Sequence, residues 1–512
     1  MTKKSLVAAG IIVALGAVWT GASWFTGKQI EKNVAKFTVD INARLKEAYP
    51  NAGLTVVYQD YQRGIFSSHL TYVLQSDGSA NGHQLLSASD KVIFNETISH
   101  GPFPLAQIKK FNLMPAMASV HSELANSDPL KSLFKLTKNK PFFTAETRVA
   151  YNGDTRSEIV LIPVDYQSEE QKFSFSGATV EADISHDLRA AHAVGTVSGL
   201  TIEKKNPWGQ TETLSIQGLA LNSDTHKGKF DINLGDGKIV LKSMELQVQG
   251  GAPVTINNFV VSSHITEDQT NIAGQLALGI DSLILRDQNL GSAKMNISYD
   301  RFDGLGVKQF AEDYQKKAEE LMQVDLDPEI YQQQIAMLVL QHLPQLLKGN
   351  PSIKISPVSW KNAKGESTFT LSLDLTDPLK TDAAPQSQLS DEEAIFRKSV
   401  KNLDAKLNVP IDMLTELMVQ VAPKTSTDEE KKQLEAMARQ QAQLMASLGE
   451  MSQVTVTKNN AITSSLQYSD GMVTFNNQKI PLAKFIAPLI TQPEGNNIEE
   501  QTPNAQKKPV TQ

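Results

Sequence analysis

The feature that most constrains this chain is an uncharged run near its start. Residues 5–25 read SLVAAGIIVALGAVWTGASWF, and none of these 21 side chains carries a charge. As an α-helix the run is about 31 Å long, which is enough to cross the hydrocarbon core of a bilayer. The run therefore predicts a transmembrane anchor over residues 5–25.

Charged residues on either side of the run bear on its orientation. Lys3 and Lys4 precede it, and basic residues favour the cytoplasmic side of a span, although Lys28 and Lys32 oppose that bias. We expect a cytoplasmic stub over residues 1–4. The anchor would then lie in a bacterial inner membrane, with the main body of the chain in the periplasm.

A cleaved signal peptide is the alternative interpretation of the same residues. Thr20-Gly21-Ala22 offers small residues of the kind that a signal peptidase accepts. The apolar run is, however, longer than the roughly 7–15 residues usual for the apolar part of a signal peptide. Its length favours an uncleaved anchor.

Composition limits what the exported part binds. The chain has a formal net charge of −7, and an acidic chain does not suit nucleic acid, which proteins bind largely by neutralising phosphates. The chain has no cysteine, which excludes disulfides, thiolate metal sites, cysteine nucleophiles and the acylated cysteine of a lipoprotein. We expect no nucleic-acid partner and no cofactor.

Hydrophobic periodicity divides the remainder into a connector and two exported regions. Apolar residues spaced by three or four over residues 29–49 predict an amphipathic connecting helix. Residues 54–300 alternate with period two, which predicts a β-rich region of antiparallel strands with one apolar face. Asn81-Gly82, Asn152-Gly153 and Gly235-Asp236-Gly237 are typical of tight turns between such strands.

Residues 301–490 predict a region that mixes helices with strands. Helices are expected over 307–324, over 328–348 after an Asp327 cap, from 391 after a Ser390 capping box, from 410, and from a Thr427 capping box to Gly449. The apolar centre of the second helix, residues 335–340, predicts burial against the sheet. Strands are expected over 352–359, 368–376, 454–457 and 472–475. Residues 491–512 are polar and predict a disordered tail.

The expected fold class is therefore α+β. It consists of an N-terminal transmembrane helix followed by a long, twisted antiparallel β-sheet with packed helices.

Three short segments deserve testing as sites. Arg63-Gly64 between two strands predicts a glycine bulge or turn, with Gly64 at positive φ and Arg63 at the surface. His100, followed by Gly-Pro-Phe-Pro, fits a stiff turn better than acid–base chemistry, which needs a second reachable group. Ser132 and Lys135 match S-x-x-K but lack the accompanying motifs of penicillin-recognising enzymes. We therefore predict no catalytic, cofactor-binding or metal-ligating residue.

Several longer strings carry a resemblance to a known family. They are TGKQIE at 26–31, RGIFSS at 63–68, HGPFPL at 100–105, SWKN at 359–362 and SVKNLDAKL at 399–407. Together with the apolar run they resemble the YdgA family of enterobacterial membrane proteins. The resemblance implies an inner-membrane location and a domain of unknown function, and it supplies no catalytic residues.

Two hypotheses for function follow. The first is a non-enzymatic binding or scaffolding role in the cell envelope, where the partner is the chain itself in a homo-oligomer, another protein, or a lipid-like ligand. The alternative is an envelope hydrolase whose site is assembled from distant residues. A concave sheet face lined by apolar residues would favour the lipid-like ligand, whereas a cleft with clustered titratable groups would favour the hydrolase.

Overall fold

A computed structural model describes residues 3–49, 52–322, 328–379, 391–423 and 427–485. In these ranges the α-helices are α1 (Lys3–Ala48), α2 (Ala80–Leu85), α3 (Leu105–Lys109), α4 (Lys131–Leu136), α5 (Gly304–Met322), α6 (Pro328–Leu346), α7 (Asp391–Ser399), α8 (Ile411–Val421) and α9 (Asp428–Met451). The strands are β1 (Leu54–Arg63), β2 (Ser67–Ser76), β3 (Val92–His100), β4 (Ala118–Leu124), β5 (Phe143–Val149), β6 (Thr155–Leu161), β7 (Val164–Gln167), β8 (Gln171–Phe175), β9 (Ala178–Ile184), β10 (Ala190–Lys205), β11 (Thr211–Lys227), β12 (Asn233–Val248), β13 (Val254–Glu267), β14 (Asn271–Leu285), β15 (Gln288–Asp303), β16 (Ser352–Asn362), β17 (Gly365–Leu375), β18 (Val400–Pro410), β19 (Val456–Lys458), β20 (Ala461–Ser469), β21 (Met472–Phe475) and β22 (Gln478–Pro481).

Helix α1 runs without a break through the predicted anchor and the predicted connecting helix. Its C-terminal half packs on the sheet, because Ile30 and Val34 join a buried cluster with Leu70, Ile98 and Ala118. The side chains of the first residues of the predicted anchor, up to position 15, lie outside the described part of the structure. Among the helices that the structure describes, none has both the length and the hydropathy of a membrane span.

All the described strands belong to one antiparallel sheet. Strands β1 to β6 pair in chain order, β9 follows β6, and β9 to β18 again pair in chain order. Strands β20 to β22 continue the sheet beyond β18, while β8 and β19 add short pairings to β10 and β20. Helices pack on this sheet, so the predicted α+β class with a large antiparallel sheet is confirmed.

One of the three predicted tight turns is present in the structure. Asn152-Gly153 connects β5 to β6, and Gly153 has a φ of +90°, which glycine adopts without steric cost. Asn81-Gly82 instead lies inside α2, and Gly235-Asp236-Gly237 lies inside β12. These two predictions are wrong because the same residue pairs are also compatible with a helix end and with an irregular strand.

The predicted burial of the centre of α6 is also wrong. Met337 is 66% exposed and Leu340 is 65% exposed, although the sequence there is apolar on every side. Helix α6 lies against α5 and touches the sheet at β15, so only one of its sides is covered. A helix with apolar residues on every side is not necessarily covered by other elements on every side.

The C-terminal helices largely follow their sequence signals. Thr427 caps α9 in a capping box with Glu430, and Pro410 precedes α8. Strands β18, β20 and β22 were not predicted, while Asp327, Ser390 and the 491–512 tail lie outside the described residues.

Candidate ligand-binding groove

One face of the sheet is apolar across eight consecutive strands. The register places directly opposite one another, from β11 to β18, Leu221, Ile239, Val261, Leu278, Met295, Val358, Phe369 and Leu407. Neighbouring strands lie about 4.8 Å apart, so this row is about 34 Å long. The row one residue away on the other face contains Asn222, Lys238, Ser262, Ala277 and Asn296, and it is mainly polar.

The apolar row deepens into a groove over β13 to β18. The groove has a volume of about 380 Å³, which is within the range of small-molecule sites. Its lining is Phe259, Leu278, Gly279, Ile280, Ala293, Lys294, Met295, Val358, Ser359, Trp360, Ser367, Thr368, Phe369 and Leu407. Lys294 is the one charged residue in this set, and strand alternation assigns it to the opposite face from Met295. The groove therefore offers a ligand apolar surface rather than ion pairs.

The indole of Trp360 reinforces this character. Its Nε1–H donates a hydrogen bond to the carbonyl oxygen of Leu290 at 2.9 Å. The indole nitrogen already has a hydrogen-bond partner within the protein, so the ring offers its apolar surface to the groove.

Helices cover the apolar face at the two ends of its long strands. At one end α8 packs on β15 to β18, and Ser367 Oγ lies 3.0 Å from Met413 Sδ. At the other end α5 packs on β14 and β15, where Val307 contacts the buried cluster of Phe230, Leu234 and Ile272. The groove lies between these two helices.

The middle of the apolar face is open. Leu221 and Ile239 are each 40% exposed, and Val358 is 37% exposed. Within the described ranges no helix makes more than marginal contact with β9 to β13. Exposed apolar residues on neighbouring strands make this face a candidate binding surface.

A second notable cluster lies where α1 meets the sheet. The strings TGKQIE, RGIFSS and HGPFPL, which lie far apart in the sequence, meet around the ring of His100. His100 Nε2 lies 2.8 Å from Ser68 Oγ, and His100 Nδ1 lies 3.0 Å from the carbonyl oxygen of Ile65. Tyr61 Oη continues the chain at 3.1 Å from Ser68 Oγ. The partners of His100, which sequence reasoning did not identify, come from the β1–β2 hairpin.

These contacts assign the tautomer of His100. A carbonyl oxygen only accepts, so Nδ1 carries the proton and Nε2 accepts from the Ser68 hydroxyl. Burial lowers the pKa of His100, which keeps the ring neutral near pH 7. Both ring nitrogens of His100 thus have hydrogen-bond partners while the ring is neutral.

The pair of Ser68 and His100 has the contact of a serine nucleophile and its base, but it is closed to substrate. Ser68 is fully buried and His100 is 1% exposed. A nucleophile has to reach the substrate carbonyl, and this hydroxyl does not. The cluster is a structural joint between α1 and the sheet, in agreement with the turn predicted for His100. Ser132 and Lys135 of the S-x-x-K match are simply exposed on the short helix α4.

The predicted turn at Gly64 is present, but the predicted positive φ of Gly64 and the surface position of Arg63 are wrong. Arg63 Nε lies 2.9 Å from Glu31 Oε2 of α1, and its guanidinium lies over the ring of Trp24 at 5.5 Å. Gly64 is not among the residues with positive φ; its N–H donates to the Ser67 carbonyl and closes a hairpin turn. The bulge of this hairpin lies earlier, between Gln59 and Gln62 of β1. Arg63 is thus a partner of α1 rather than a free surface residue.

One carboxyl group lies on the apolar face near α1. Glu96 of β3 is 8% exposed and accepts a hydrogen bond from Ser122 Oγ at 2.5 Å. Burial raises the pKa of Glu96 to about 7, although the Ser122 hydrogen bond opposes the rise. Across the described ranges, histidine and carboxylate side chains form no group of three able to hold a metal ion.

Comparison with known proteins supports a single family. DUF945, described as a bacterial protein of unknown function, matches residues 2–483. The chain is 37% identical to Protein YdgA of Escherichia coli (strain K12), over 94% of this chain and 96% of that protein. It is 28% identical to the uncharacterised E. coli protein YihF, over 95% of this chain and 98% of that protein. No solved structure matches the chain. These similarities confirm the resemblance found in the sequence.

Proposed function

Because the chain belongs to the DUF945 family of bacterial proteins of unknown function, its relatives assign it no activity, and we propose that it is a membrane-anchored envelope protein that binds lipid acyl chains. The anchor is the run at residues 5–25, in the inner membrane, with the N-terminus cytoplasmic and the body periplasmic. The ligand lies on the apolar face of the sheet. The role is binding rather than turnover.

The groove over β13 to β18 is the observation that carries this proposal. Its lining is mainly aliphatic and aromatic, and the indole N–H of Trp360 already has a partner. Such a surface gains free energy from any apolar ligand but cannot orient a charged one. An acyl chain is long, apolar and free of hydrogen-bonding groups, so it fits a surface of this kind better than a peptide, whose backbone needs partners.

The length of the apolar row also favours a chain-like ligand. Eight apolar residues in register extend about 34 Å across the sheet, well beyond the groove itself. A compact ligand would use only part of that surface. An extended hydrocarbon can follow it from strand to strand.

The position of α1 relates this face to the anchor. Ile30 and Val34 of α1 pack on Leu70 and Ile98. From Leu70 of β2 the register runs strand by strand, through Ala145 and Val180, to Leu221 at the start of the apolar row. The apolar face therefore begins under the helix that leads to residues 5–25. A lipid leaving the membrane beside that helix would meet apolar surface first.

The test uses the full chain in detergent with a phosphatidylethanolamine that carries a photoreactive acyl chain. We expect cross-links to peptides of β13 to β18. Val358→Glu places a charge in the groove at a side chain that is already 37% exposed, and it should reduce cross-linking several-fold. Asn296→Glu is the matched control, because it adds the same charge to a neighbouring strand on the polar face.

Two outcomes would contradict the proposal. Equal cross-linking in both variants would place the lipid elsewhere. A wild-type dimer in light scattering that Val358→Glu dissociates, with no lipid bound, would make the apolar face an interface between copies of the chain instead.

A further inference from the structure

Three connections of the sheet lie side by side next to α1. They join β1 to β2, β3 to β4 and β5 to β6, which the antiparallel register places at the same end of the strands. Backbone hydrogen bonds link them, from His100 N to Phe66 O at 2.8 Å and from Met117 N to Val149 O at 2.9 Å.

These connections expose large apolar side chains. In the longest of them Phe111 is 94% exposed, Leu113 is 67% exposed and Met114 is 64% exposed. Ile65 and Tyr151, in the two flanking connections, are 50% and 58% exposed. Five such residues on three neighbouring connections are a concentration of apolar exposure at one end of the sheet, whereas singly scattered exposed apolar residues are normal.

The next connection at the same end is different. Between β9 and β10 the chain reads Ser185-His186-Asp187-Leu188-Arg189, in which Leu188 is the one large apolar residue and is 41% exposed. Apolar exposure is therefore concentrated beside α1 rather than spread along the whole end of the sheet.

Contacts with α1 show where the connection between β3 and β4 lies along the axis of that helix. Trp19 Nε1–H donates to the carbonyl oxygen of Phe103 at 3.2 Å, and the Trp19 ring lies 4.9 Å from the ring of Phe66. Trp19 precedes Phe25, the end of the predicted anchor, by six residues, which is about 9 Å along a helix. Phe103, where the connection contacts α1, thus lies about 9 Å inside the outer end of that anchor, at the depth of the outer leaflet.

We propose that residues 103–114 insert into the outer leaflet of the membrane that holds the anchor. This inference rests on the proposed topology, in which residues 5–25 span the inner membrane. Phe111, Leu113 and Met114 enter the acyl region, as the apolar side of an interfacial segment does. Lys109, just before them, faces the anionic headgroups, while the Nζ of Lys110 lies 3.9 Å from Glu146 Oε2.

Insertion at this point gives the molecule a second membrane contact. A single helix leaves a periplasmic body free to tilt and turn, whereas a helix and an adjacent loop hold it in one orientation. The apolar face would then begin next to the lipid surface.

The absence of cysteine permits a direct test on the full chain. Leu113→Cys and Trp208→Cys are each labelled with an environment-sensitive fluorophore and reconstituted into vesicles of phosphatidylethanolamine and phosphatidylglycerol. Trp208 is the matched control, because it is 81% exposed in the connection between β10 and β11 at the opposite end of the strands. Quenching is measured with a lipid spin-labelled near its headgroup and, separately, with iodide in the water.

We expect lipid quenching several-fold stronger at 113 than at 208, and iodide quenching in the reverse order. Adding Phe111→Asp to the Leu113→Cys chain should reduce lipid quenching at 113. Equal quenching at both positions would overturn the inference. A label at 113 that is shielded from iodide but not quenched by the lipid would also overturn it, because a protein surface would then cover the loop.

The same preparation separates this inference from the proposals on which it rests. Failure of the chain to float with the vesicles after carbonate treatment would reject both the anchor and the loop. A chain that floats but whose labels at 113 and 208 behave alike would reject the loop alone. Acyl cross-linking in the groove is measured independently of both.

Discussion

Gly27 of α1 lies directly against the ring of His100 at the end of β3. A Cβ placed on Gly27 would fall 2.6 Å from Nδ1 of that ring, which is closer than side chains approach one another. Because His100 is buried and hydrogen-bonded at both nitrogens, the ring has little room to move. The contact fixes how closely the helix approaches the sheet.

Gly27→Ala should therefore loosen the joint between α1 and the sheet. We expect a loss of about 1–3 kcal/mol in unfolding free energy, measured on the full chain in detergent by thermal melts. Gly21→Ala is the control, since no atom lies within 4 Å of its added Cβ and alanine favours a helix. In a His100→Ala background the effect of Gly27→Ala should largely vanish. Equal losses for the two glycine variants would contradict this packing.

Arg63→Ala should also destabilise the packing of α1 on the sheet, because Arg63 contacts α1. The ion pair with Glu31 and the contact with Trp24 together suggest a loss of about 1–2 kcal/mol. A double-mutant cycle with Glu31→Ala isolates the ion pair, which should contribute about 0.5–1 kcal/mol. Arg156→Ala is the control, because that side chain is 65% exposed and its nearest carboxylate lies 3.5 Å away. A coupling energy of zero in this cycle would mean that Arg63 and Glu31 do not interact in solution.

Glu96→Gln should change how stability depends on pH. The native carboxyl keeps its proton up to about pH 7, whereas an ordinary glutamate releases it near pH 4.5. The native state therefore binds more protons between these values, and its stability falls as the pH rises through them. Glutamine does not ionise, so the variant should match the wild type below pH 4.5 and exceed it at about pH 8 by about 3 kcal/mol.

Denaturant titrations at several pH values measure this difference. Glu158→Gln is the control, because Glu158 is exposed on strand β6 of the same sheet. The assignment of Glu96 as a buried acid fails if the two variants have parallel pH profiles.

Ala442→Leu should destabilise the packing of α9 on α8. Ala442 is fully buried in the cluster with Ile411, Ala446 and Ile462, so a larger side chain overpacks the site by about 1–3 kcal/mol. Leu444→Gln, only two residues away, should have an effect within about 0.5 kcal/mol, because Leu444 is 57% exposed. Chemical denaturation distinguishes the two, and a large effect of Leu444→Gln would indicate that another surface covers that side of α9.

The sequence by itself determined the local elements of this protein. Period-two alternation from Leu54 onward predicts strands with one apolar face, and the Thr427 capping box predicts the start of α9. These signals are local, because they depend on backbone geometry and on residues a few positions apart. The long uncharged run at residues 5–25 is equally local, and it remains the basis for the anchor.

Only the tertiary structure decided which apolar surfaces are covered. Alternation assigns Met295 and Val358 to one face, but it does not say whether another layer packs there; α5 and α8 cover the ends of that face and leave its middle open. The same limit explains the error at Met337 of α6, which is apolar yet exposed.

The joint at His100 was likewise invisible in the sequence. Its contacts join Gly27, Ser68 and His100, which belong to a helix and two strands far apart in the chain. Each residue alone fits an ordinary turn, helix or strand. Their meeting depends on the pairing of β1 to β3 and on the packing of α1, and both are long-range consequences of burying apolar surface.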